Sequence, residues 1–519
     1  MPRSMGLQAL ILCGPGTNLE ALRAPDEPKA LLPIANRPMV WYAVDWCHRA
    51  GLSDIHLVTP PSYSKAIETA LAQNPHLTSL SPKPTVLAPE ELDDNTSTGT
   101  ILTLPEIQAA VSGDFLILPC DLICELPAES LIESWLLQQD DEFTRYLNPG
   151  KGSSRGGLGV WYDTTTDQTT KKTETDFVVT APLPKTLVPS PPGSLRPHIS
   201  QLVNTMTTVT LEDKTVDRLE QPKPLPIRAS LIDKHPRTRI LTAHRDAHIY
   251  IFPHWLLAYA RSNLNLDTIA EDLVAWWAKA TWQPGLAQKL HIPFSTSDSV
   301  PAILAYIHPC SPTPLPPSHP KANSDSATNK SKTPSTVTST NNTKADQTPL
   351  ILRADTPHQL LLTSLHLATL TPPHPFAHPS PRSPQASIPP NTTVTDPTSL
   401  VGPFTTIGPQ STIRDSVVSA NCEIGTRARL TRCLVMDGAK VEDGAVLTGT
   451  VVGKGARVGG KCNLGECVVQ GGMVVEEGTE GKGETFMGFE GGAGLEDVDG
   501  GSGGEEEAEE EDGEEGGAG

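Results

Sequence analysis

The sequence predicts a protein in two parts, an α/β domain with a mostly parallel sheet and, after it, a parallel β-helix. Two patterns support this prediction. Short apolar runs alternate with helical patterns over residues 7–118, which is typical of a parallel sheet with helices on both faces. Near the C-terminus, apolar residues recur every seventeen positions, which is typical of stacked solenoid coils. An insertion and an acidic tail, both predicted to be disordered, complete the chain.

The first part is expected over residues 5–310. Its N-terminal half predicts four strands separated by three helices, because apolar residues recur with the period of each element. The strands are expected at 10–12, 55–58, 85–88 and 114–118, and the helices at 39–47, 63–71 and 101–111. Ligands of such sheets bind at the carboxyl ends of the strands, where a glycine-containing loop, residues 14–19, follows the first strand.

The alternation of strands and helices resumes in the second half of this domain. A strand is predicted at 247–253, helices at 255–259 and 271–279, and another strand at 302–307.

Three further segments follow: two have a biased amino-acid composition, and the one between them again has the pattern of a strand and a helix. Residues 311–348 are rich in Pro, Ser, Thr, Asn and Lys, and they contain too few apolar residues to offset the entropy of the chain. They are therefore predicted to be a disordered insertion. Residues 349–370 predict a strand and a helix that return to the first domain. The proline-rich residues 371–398 are predicted to be a linker.

Residues 399–484 carry the repeat. Three apolar registers run through it in phase, and Gly and Asp at the intervening positions suit tight corners. The registers are Ile407, Ile424, Val441, Val458 and Val475; Ile413, Leu430, Leu447 and Leu464; and the pairs at 417–418, 434–435, 451–452 and 468–469. The spacing resembles that of hexapeptide-repeat left-handed β-helices, with each coil one residue short of three hexads.

Charge and cysteine content narrow the class of protein. Residues 485–519 form a Gly/Glu-rich tail, and residues 490–519 hold thirteen Asp or Glu with no Lys or Arg, out of a net charge of −20 for the whole chain. No basic patch predicts nucleic-acid binding. The nine cysteines form no CxxC pair, and no apolar run approaches the ~20 residues of a membrane span. A reducing, cytosolic environment is predicted.

Two segments near the N-terminus resemble the motifs of sugar-nucleotide pyrophosphorylases. The loop Gly14-Pro15-Gly16-Thr17-Asn18-Leu19 is similar to G-x-G-T-R-L, and residues 28–33, Pro-Lys-Ala-Leu-Leu-Pro, are similar to P-K-x-L-x-P. The glycines would let backbone N–H groups approach phosphate oxygens. The resemblance also implies that Asp121 matches the strand-end aspartate that holds the metal in that family. The nucleotide pocket so implied comprises Gly14, Gly16, Thr17, Lys29, Gly99 and Asp121.

The departures from the family pattern predict that this pocket is vestigial. Asn18 stands where the family has a phosphate-handling arginine, and His248 stands where active members have the glycine of N-A-G-x-Y. The later segment shows no clear second metal-binding aspartate. No catalytic residue, metal ligand or cofactor is therefore assigned. A structural ion pair is an equally good explanation for Lys29 and Asp121.

An α/β domain of this kind joined to a hexapeptide β-helix occurs in sugar-nucleotide enzymes and in two subunits of translation initiation factor 2B. Residues 116–123, 245–253, 273–277, 353–356 and 417–437 resemble the smaller, non-catalytic one of these subunits. The resemblance implies a Rossmann-like nucleotidyltransferase fold in a guanine-nucleotide exchange complex. The expected partners are the catalytic epsilon subunit and the other subunits, and the expected substrate of the complex is the GTP-binding initiation factor 2.

Two other functions stay open at this point. One is an active mannose- or glucose-1-phosphate nucleotidylyltransferase, against which Asn18 and His248 argue. The other is a module that senses GTP or a sugar nucleotide without turnover. It is favoured by four retained residues: Gly14, Gly16, Lys29 and Asp121.

Overall fold

The protein is described from a computed structural model. The described residues are 6–23, 27–139, 155–164, 174–184, 189–215, 223–293, 300–309, 349–396 and 398–488. The predicted insertion at 311–348 and residues 489–519 of the predicted tail lie outside them.

The first domain is built on strands whose side chains are mostly buried on both faces. The first strand, Gln-Ala-Leu-Ile-Leu, and the strand Phe-Leu-Ile-Leu-Pro are almost entirely buried, as their continuous apolar sequences predict. The strands are β1 (Gln8–Leu12), β2 (Pro33–Ile34), β3 (Arg37–Pro38), β4 (Ile55–Val58), β5 (Thr85–Leu87), β6 (Phe115–Pro119), β7 (Leu122–Cys124), β8 (Gly157–Asp163), β9 (Asp176–Pro182), β10 (Ile199–Thr207), β11 (Arg239–Phe252), β12 (Ile303–His308) and β13 (Ile351–Arg353).

Nine of these strands form one sheet, in the order β5-β4-β1-β6-β11-β8-β12-β10-β9. The first four are parallel, as predicted from the alternating pattern. Beyond β6 the sheet is mixed, because β11 runs antiparallel to both of its neighbours while β8 and β12 are parallel. β11 also begins earlier than the predicted 247–253, and its N-terminal part pairs with β9. The carboxyl ends of β1, β4 and β6 meet at one edge of the sheet.

Helices cover the sheet. The predicted helix at 101–111 is two short helices, because Pro105 cannot donate a backbone hydrogen bond and begins a new helix. The helices are α1 (Met39–Arg49), α2 (Pro61–Gln73), α3 (Pro75–Thr78), α4 (Thr98–Ile101), α5 (Pro105–Ala110), α6 (Ala128–Gln139), α7 (Thr208–Thr215), α8 (Ala229–Lys234), α9 (Trp255–Ser262), α10 (Ala275–Ala280), α11 (Leu286–Lys289) and α12 (Pro357–Thr369), with 3-10 turns at Thr17–Leu22, Lys29–Leu31 and Arg196–His198 and a π-helical turn at Ile269–Val274.

The returning segment joins the two parts of the protein. β13 pairs antiparallel with β7, and α12 follows it, as predicted for residues 349–370. One hydrophobic core contains residues of α12, the first domain and the β-helix, including Leu365, Ile34 and Val417. The two parts are therefore packed against each other through a shared core rather than separated by a free linker.

The C-terminal part is a β-helix with three parallel sheets. Residues seventeen positions apart pair with each other in successive coils, as in Ile407 with Ile424 and Leu430 with Leu447. The three sheets contain the strands β14 (Thr393–Val394), β17 (Thr412–Arg414), β20 (Arg429–Thr431), β23 (Val446–Thr448), β26 (Asn463–Gly465) and β29 (Glu480–Lys482); β15 (Leu400–Val401), β18 (Val417–Val418), β21 (Leu434–Val435), β24 (Val451–Val452), β27 (Val468–Val469) and β30 (Thr485–Phe486); and β16 (Thr406–Ile407), β19 (Glu423–Ile424), β22 (Lys440–Val441), β25 (Arg457–Val458) and β28 (Val474–Val475).

The β-helix extends beyond both predicted boundaries. Arg382 pairs with Val401 and Ser387 with Thr406, so part of the predicted linker at 371–398 already forms a coil. The seventeen-residue repeat did not predict that coil, because its residues lie nineteen positions before their partners. The same spacing of nineteen separates Val394 from its partner Ile413. At the other end, Thr485–Phe486 pairs with Val468–Val469, so the predicted tail begins after the last coil instead of at residue 485.

We expect the β-helix to depend on its central apolar layer. Leu447 is fully buried in the middle of the stack, whereas the neighbouring Thr448 is exposed. Substitution Leu447→Ala removes buried methyl groups and leaves a cavity, which should lower the free energy of unfolding by about 2–5 kcal/mol. The matched control, Thr448→Ala, should change it by less than about 0.5 kcal/mol. Urea unfolding followed by circular dichroism measures both, and equal effects would contradict the assigned layer.

Candidate functional site

A cavity of about 190 Å³ lies at the carboxyl ends of β1, β4 and β6. This is the place where an open α/β sheet binds its ligands. Of the six residues predicted for the pocket, four line the cavity: Gly14, Gly16, Lys29 and Asp121. Thr17 and Gly99 do not. The volume is below the ~300–1,000 Å³ of typical small-molecule sites.

The charge at the floor of the cavity is centred on Asp121. This residue is fully buried, and its carboxylate Oδ2 accepts a hydrogen bond from Lys29 Nζ at 2.5 Å. Arg353 Nε and Nη2 each donate to the same carboxylate at 3.3 Å. Burial alone would raise the pKa of Asp121, but Arg353 and Lys29 outweigh it and hold that pKa well below its ordinary value. Asp121 is therefore ionised and bound by two cations.

The pairing continues away from the cavity as a chain of alternating charges. Arg353 Nη2 lies 3.6 Å from Asp355 Oδ2, and Arg245 forms a bidentate pair with Asp355 at 2.7 and 3.2 Å. The order is Lys29, Asp121, Arg353, Asp355 and Arg245. Since each buried carboxylate has a cation on either side, the desolvation cost of these charges is offset by their neighbours.

Two of the glycines predicted for the pocket, Gly16 and Gly99, have packing roles. Gly16 has φ = 65°, and a Cβ atom there would overlap Lys29 Cδ, so a glycine is needed for Lys29 to reach Asp121. The N–H of Gly99 donates to the carbonyl of Asp267 at 2.7 Å, and a Cβ atom at Gly99 would overlap the carbonyl of Leu266. Gly99 thus faces backbone instead of the cavity.

Neither Thr17 nor Asn18 lines the cavity. Both are exposed, and they begin the 3-10 turn that follows the glycine loop. Asn18, at the position of the family's arginine, does not line the cavity.

His248 occupies the position of the family's glycine and lines the cavity, as its sequence position predicts. Its φ of 54° is in the left-handed region that glycine adopts without cost and histidine does not. Burial and Arg353 lower the pKa of His248 well below its ordinary value, so the imidazole is neutral. The ring takes up part of the space that a glycine would leave open.

Two carboxylates lie next to His248 in β11 and β9. Asp246 accepts hydrogen bonds from the His248 backbone N–H at 2.7 Å and from the Tyr250 hydroxyl. The Asp246 backbone N–H donates to Asp176 Oδ2 at 2.6 Å. Burial, with the nearby Asp176 charge, raises the pKa of Asp246 to about 7, and burial raises the pKa of Asp176 to about 6.

Sequence reasoning did not assign Arg353, Asp246 or Asp176 to the site. A signal existed for Arg353, because it ends the predicted returning strand and the ends of strands carry ligands in this fold. No sequence pattern indicated that Asp176 and Asp246 are neighbours, because they are brought together only by the irregular pairing of β11 with β8 and β9.

Two searches of the described residues give negative results. Within the ranges stated above, no group of three or more His, Cys, Asp or Glu side chains is placed to hold a metal ion. Nor does any described helix combine the length and apolar character needed to cross a membrane.

The comparisons with known proteins agree with this geometry on the class of protein. Residues 8–152 match the family described as "Nucleotidyl transferase", and residues 384–480 match the family described as "EIF2B subunit epsilon LbH domain", a left-handed β-helix. The predicted fold, a nucleotidyltransferase-like domain followed by a left-handed β-helix, is confirmed.

Among individual proteins, the chain is similar to translation initiation factor eIF2B subunit gamma of Schizosaccharomyces pombe. The two are 25% identical over 294 residues, which cover 55% of this chain and 54% of the relative. The chain thus matches about half the length of that curated relative. The predicted resemblance to a gamma-type subunit is confirmed.

We predict that Asp121→Asn destabilises the protein, because it leaves Lys29 and Arg353 buried beside a neutral side chain. Removing one partner of a buried ion pair costs about 3–5 kcal/mol of unfolding free energy. Glu423→Gln is the matched control, since Glu423 pairs with Lys440 at 3.0 Å in an exposed pair worth at most about 1 kcal/mol. Chemical unfolding at pH 7 measures both variants. An Asp121 variant as stable as the control would contradict the role assigned to this pair.

The raised pKa of Asp246 predicts a pH dependence of stability. The folded state favours the protonated carboxyl of Asp246. The contribution of this carboxyl to the free energy of unfolding is therefore fully present below its pKa in the unfolded chain, about 4, and is lost as the pH rises through its pKa in the folded protein, about 7. The Asp246→Asn variant should not show this loss. The difference in free energy of unfolding between the variant and the wild type should therefore shift by about 2 kcal/mol in favour of the variant from pH 5 to pH 8. Thermal unfolding across that range measures it. The exposed Asp233→Asn variant should keep the wild-type dependence, and an unchanged slope in Asp246→Asn would disprove the assignment.

Proposed function

We propose that this chain is a non-catalytic subunit of a guanine-nucleotide exchange complex of the eIF2B type, which promotes GDP/GTP exchange on initiation factor 2 and so controls delivery of initiator tRNA. The observation that carries the proposal is the joint similarity to an eIF2B gamma subunit and to an eIF2B β-helix. The partners proposed are the epsilon subunit, which would hold the exchange-active domain, and the other subunits. The proposed location is the cytosol.

The chemistry of the cavity supports a non-catalytic role. Nucleotidyl transfer relies on carboxylates that hold a metal ion and on cations placed around the phosphates. Here both oxygens of Asp121 are hydrogen-bonded to Lys29 and Arg353. The two cations are thereby held by a carboxylate instead of facing a phosphate, and His248 narrows the cavity.

Ligand binding without turnover is a second candidate, favoured by the cavity itself. Lys29 and Arg353 line it together with the open backbone of Gly14, for which no neighbour lies within 4 Å of an added Cβ. A phosphate group would have to compete with Asp121 for these cations. Titration calorimetry with GTP and with a sugar nucleotide distinguishes this candidate, since the scaffold role requires no binding of either.

For the enzymatic alternative, we expect no turnover. The purified chain, with Mg²⁺, GTP or ATP, and mannose- or glucose-1-phosphate, should show no exchange of labelled pyrophosphate, because Asp121 is paired with protein cations. An active guanylyltransferase serves as the positive control. Turnover of about 1 s⁻¹ or more would make the chain an enzyme and overturn the proposal.

For the assembly, the decisive measurement is affinity purification of the full chain from its native cell with identification of the proteins recovered. Recovery with epsilon and the other subunits, and with initiation factor 2, is the expected result. Recovery of the chain alone or as a homo-oligomer would contradict it. Nucleotide exchange on initiation factor 2, measured with the complex assembled with and without this chain, then tests its contribution.

A further inference from the structure

Two cysteines lie side by side at the carboxyl ends of β1 and β6, next to the cavity, and neither belongs to the pocket predicted from the sequence. β1 and β6 are parallel and in register, with Leu12 opposite Pro119. Cys13 and Cys120 are the next residue of each strand. The register continues through them, because the Cys120 N–H donates to the Leu12 carbonyl at 3.1 Å.

The two side chains are on the same face of the sheet. Along both strands, alternate residues belong to two different hydrophobic cores, as the period of a strand requires. Ile11 and its partner Leu118 belong to the core shared with the β-helix, and so do Cys13 and Cys120. Because Cys13 and Cys120 are opposite each other on this face of two adjacent strands, their side chains are neighbours. The Cys13 thiol donates to the Ile11 carbonyl at 3.7 Å.

This arrangement is within reach of a disulfide. Adjacent strands lie about 4.8 Å apart, and disulfides join Cα atoms separated by about 4.4–6.8 Å. Both cysteines are free thiols. Cys120 is among the residues that line the cavity and Cys13 is not, although both are only 1% exposed.

We propose that Cys13 and Cys120 form an oxidisable dithiol that closes to a disulfide when a peroxide enters the cavity. The Cys120 sulfur attacks one oxygen of hydrogen peroxide, the O–O bond breaks, and the Cys120 sulfenic acid and one water result. The Cys13 sulfur then attacks the Cys120 sulfur, the S–S bond forms, the S–O bond breaks, and a second water leaves. Two thiols are oxidised by two electrons, and one peroxide is reduced to two waters.

The position of the pair links this modification to the cavity. Gly14 begins the glycine loop directly after Cys13, and Asp121 directly follows Cys120. A bond between the two sulfurs therefore fixes the start of the loop relative to the residue that Lys29 and Arg353 bind. The inference depends on strand register and cavity access and is independent of the proposed exchange-factor role.

The test is disulfide mapping on the full chain. The reduced protein is treated with one equivalent of hydrogen peroxide, remaining thiols are alkylated, and peptides are analysed by mass spectrometry without reduction. A cross-linked Cys13–Cys120 peptide, about 2 Da lighter than the sum of its reduced parts and released by dithiothreitol, is the expected product. Cys47 and Cys124 are equally buried internal controls that do not line the cavity, and they should be alkylated after denaturation.

Cys13→Ser is the matched variant, because it removes the second thiol and keeps the first. Cys120 should then stop at the sulfenic acid, which dimedone labels, while Cys120→Ser should leave Cys13 unoxidised at the same dose. If the folded wild type keeps both thiols reduced at ten equivalents of peroxide, or if either joins a different cysteine, the proposal is wrong. The wild-type mapping decides the matter even if a variant does not fold.

Discussion

The buried carboxylate of Asp121 is the interaction on which the organisation of this domain depends. It receives Lys29 from the segment after the glycine loop and Arg353 from a strand more than two hundred residues later. An isolated ionised carboxylate in such a place would be too costly, so both cations are needed to keep it charged. The same pairing fixes the path of the N-terminal loop and ties the returning strand to the sheet. It also occupies three of the carboxylate's about four acceptor sites with protein donors.

The returning segment, residues 349–370, both completes the charge pairing at the cavity and joins the first domain to the β-helix. β13 brings Arg353 to Asp121 at the cavity, and α12, which follows it, packs on the β-helix in a shared hydrophobic core. The segment after the glycine loop also contacts the β-helix. The Gly471 N–H donates to the carbonyl of Ala21 in the 3-10 turn at 2.9 Å, and Lys454 pairs with Glu27, which follows that turn, at 2.6 Å. Elements that handle substrate in an enzyme of this fold are thus held here by contacts with the second part of the protein.

Most elements of the fold could be predicted from local sequence patterns. The features that could not be predicted depend on contacts between residues far apart in the sequence. The seventeen-residue period located the coils because each one repeats the same buried positions, and it failed at Val394, where two extra residues shift the spacing to nineteen. The parallel strands were predictable from continuous apolar runs. The antiparallel position of β11, the pairing of Asp176 with Asp246 and the contact of Arg353 with Asp121 were not, because each joins residues far apart in sequence that no local period relates.

The glycines show why a retained motif is weak support for a retained ligand. Gly16 is required by the passage of the Lys29 side chain, and Gly99 by the carbonyl of Leu266, so either would be kept in a protein that binds nothing. His248 gives the converse case. Its backbone adopts the left-handed conformation that glycine favours, although its side chain lines the cavity. In this chain, side-chain packing, charge pairing and backbone contacts are sufficient to account for these positions without a bound ligand, so the fold by itself does not specify what the pocket does.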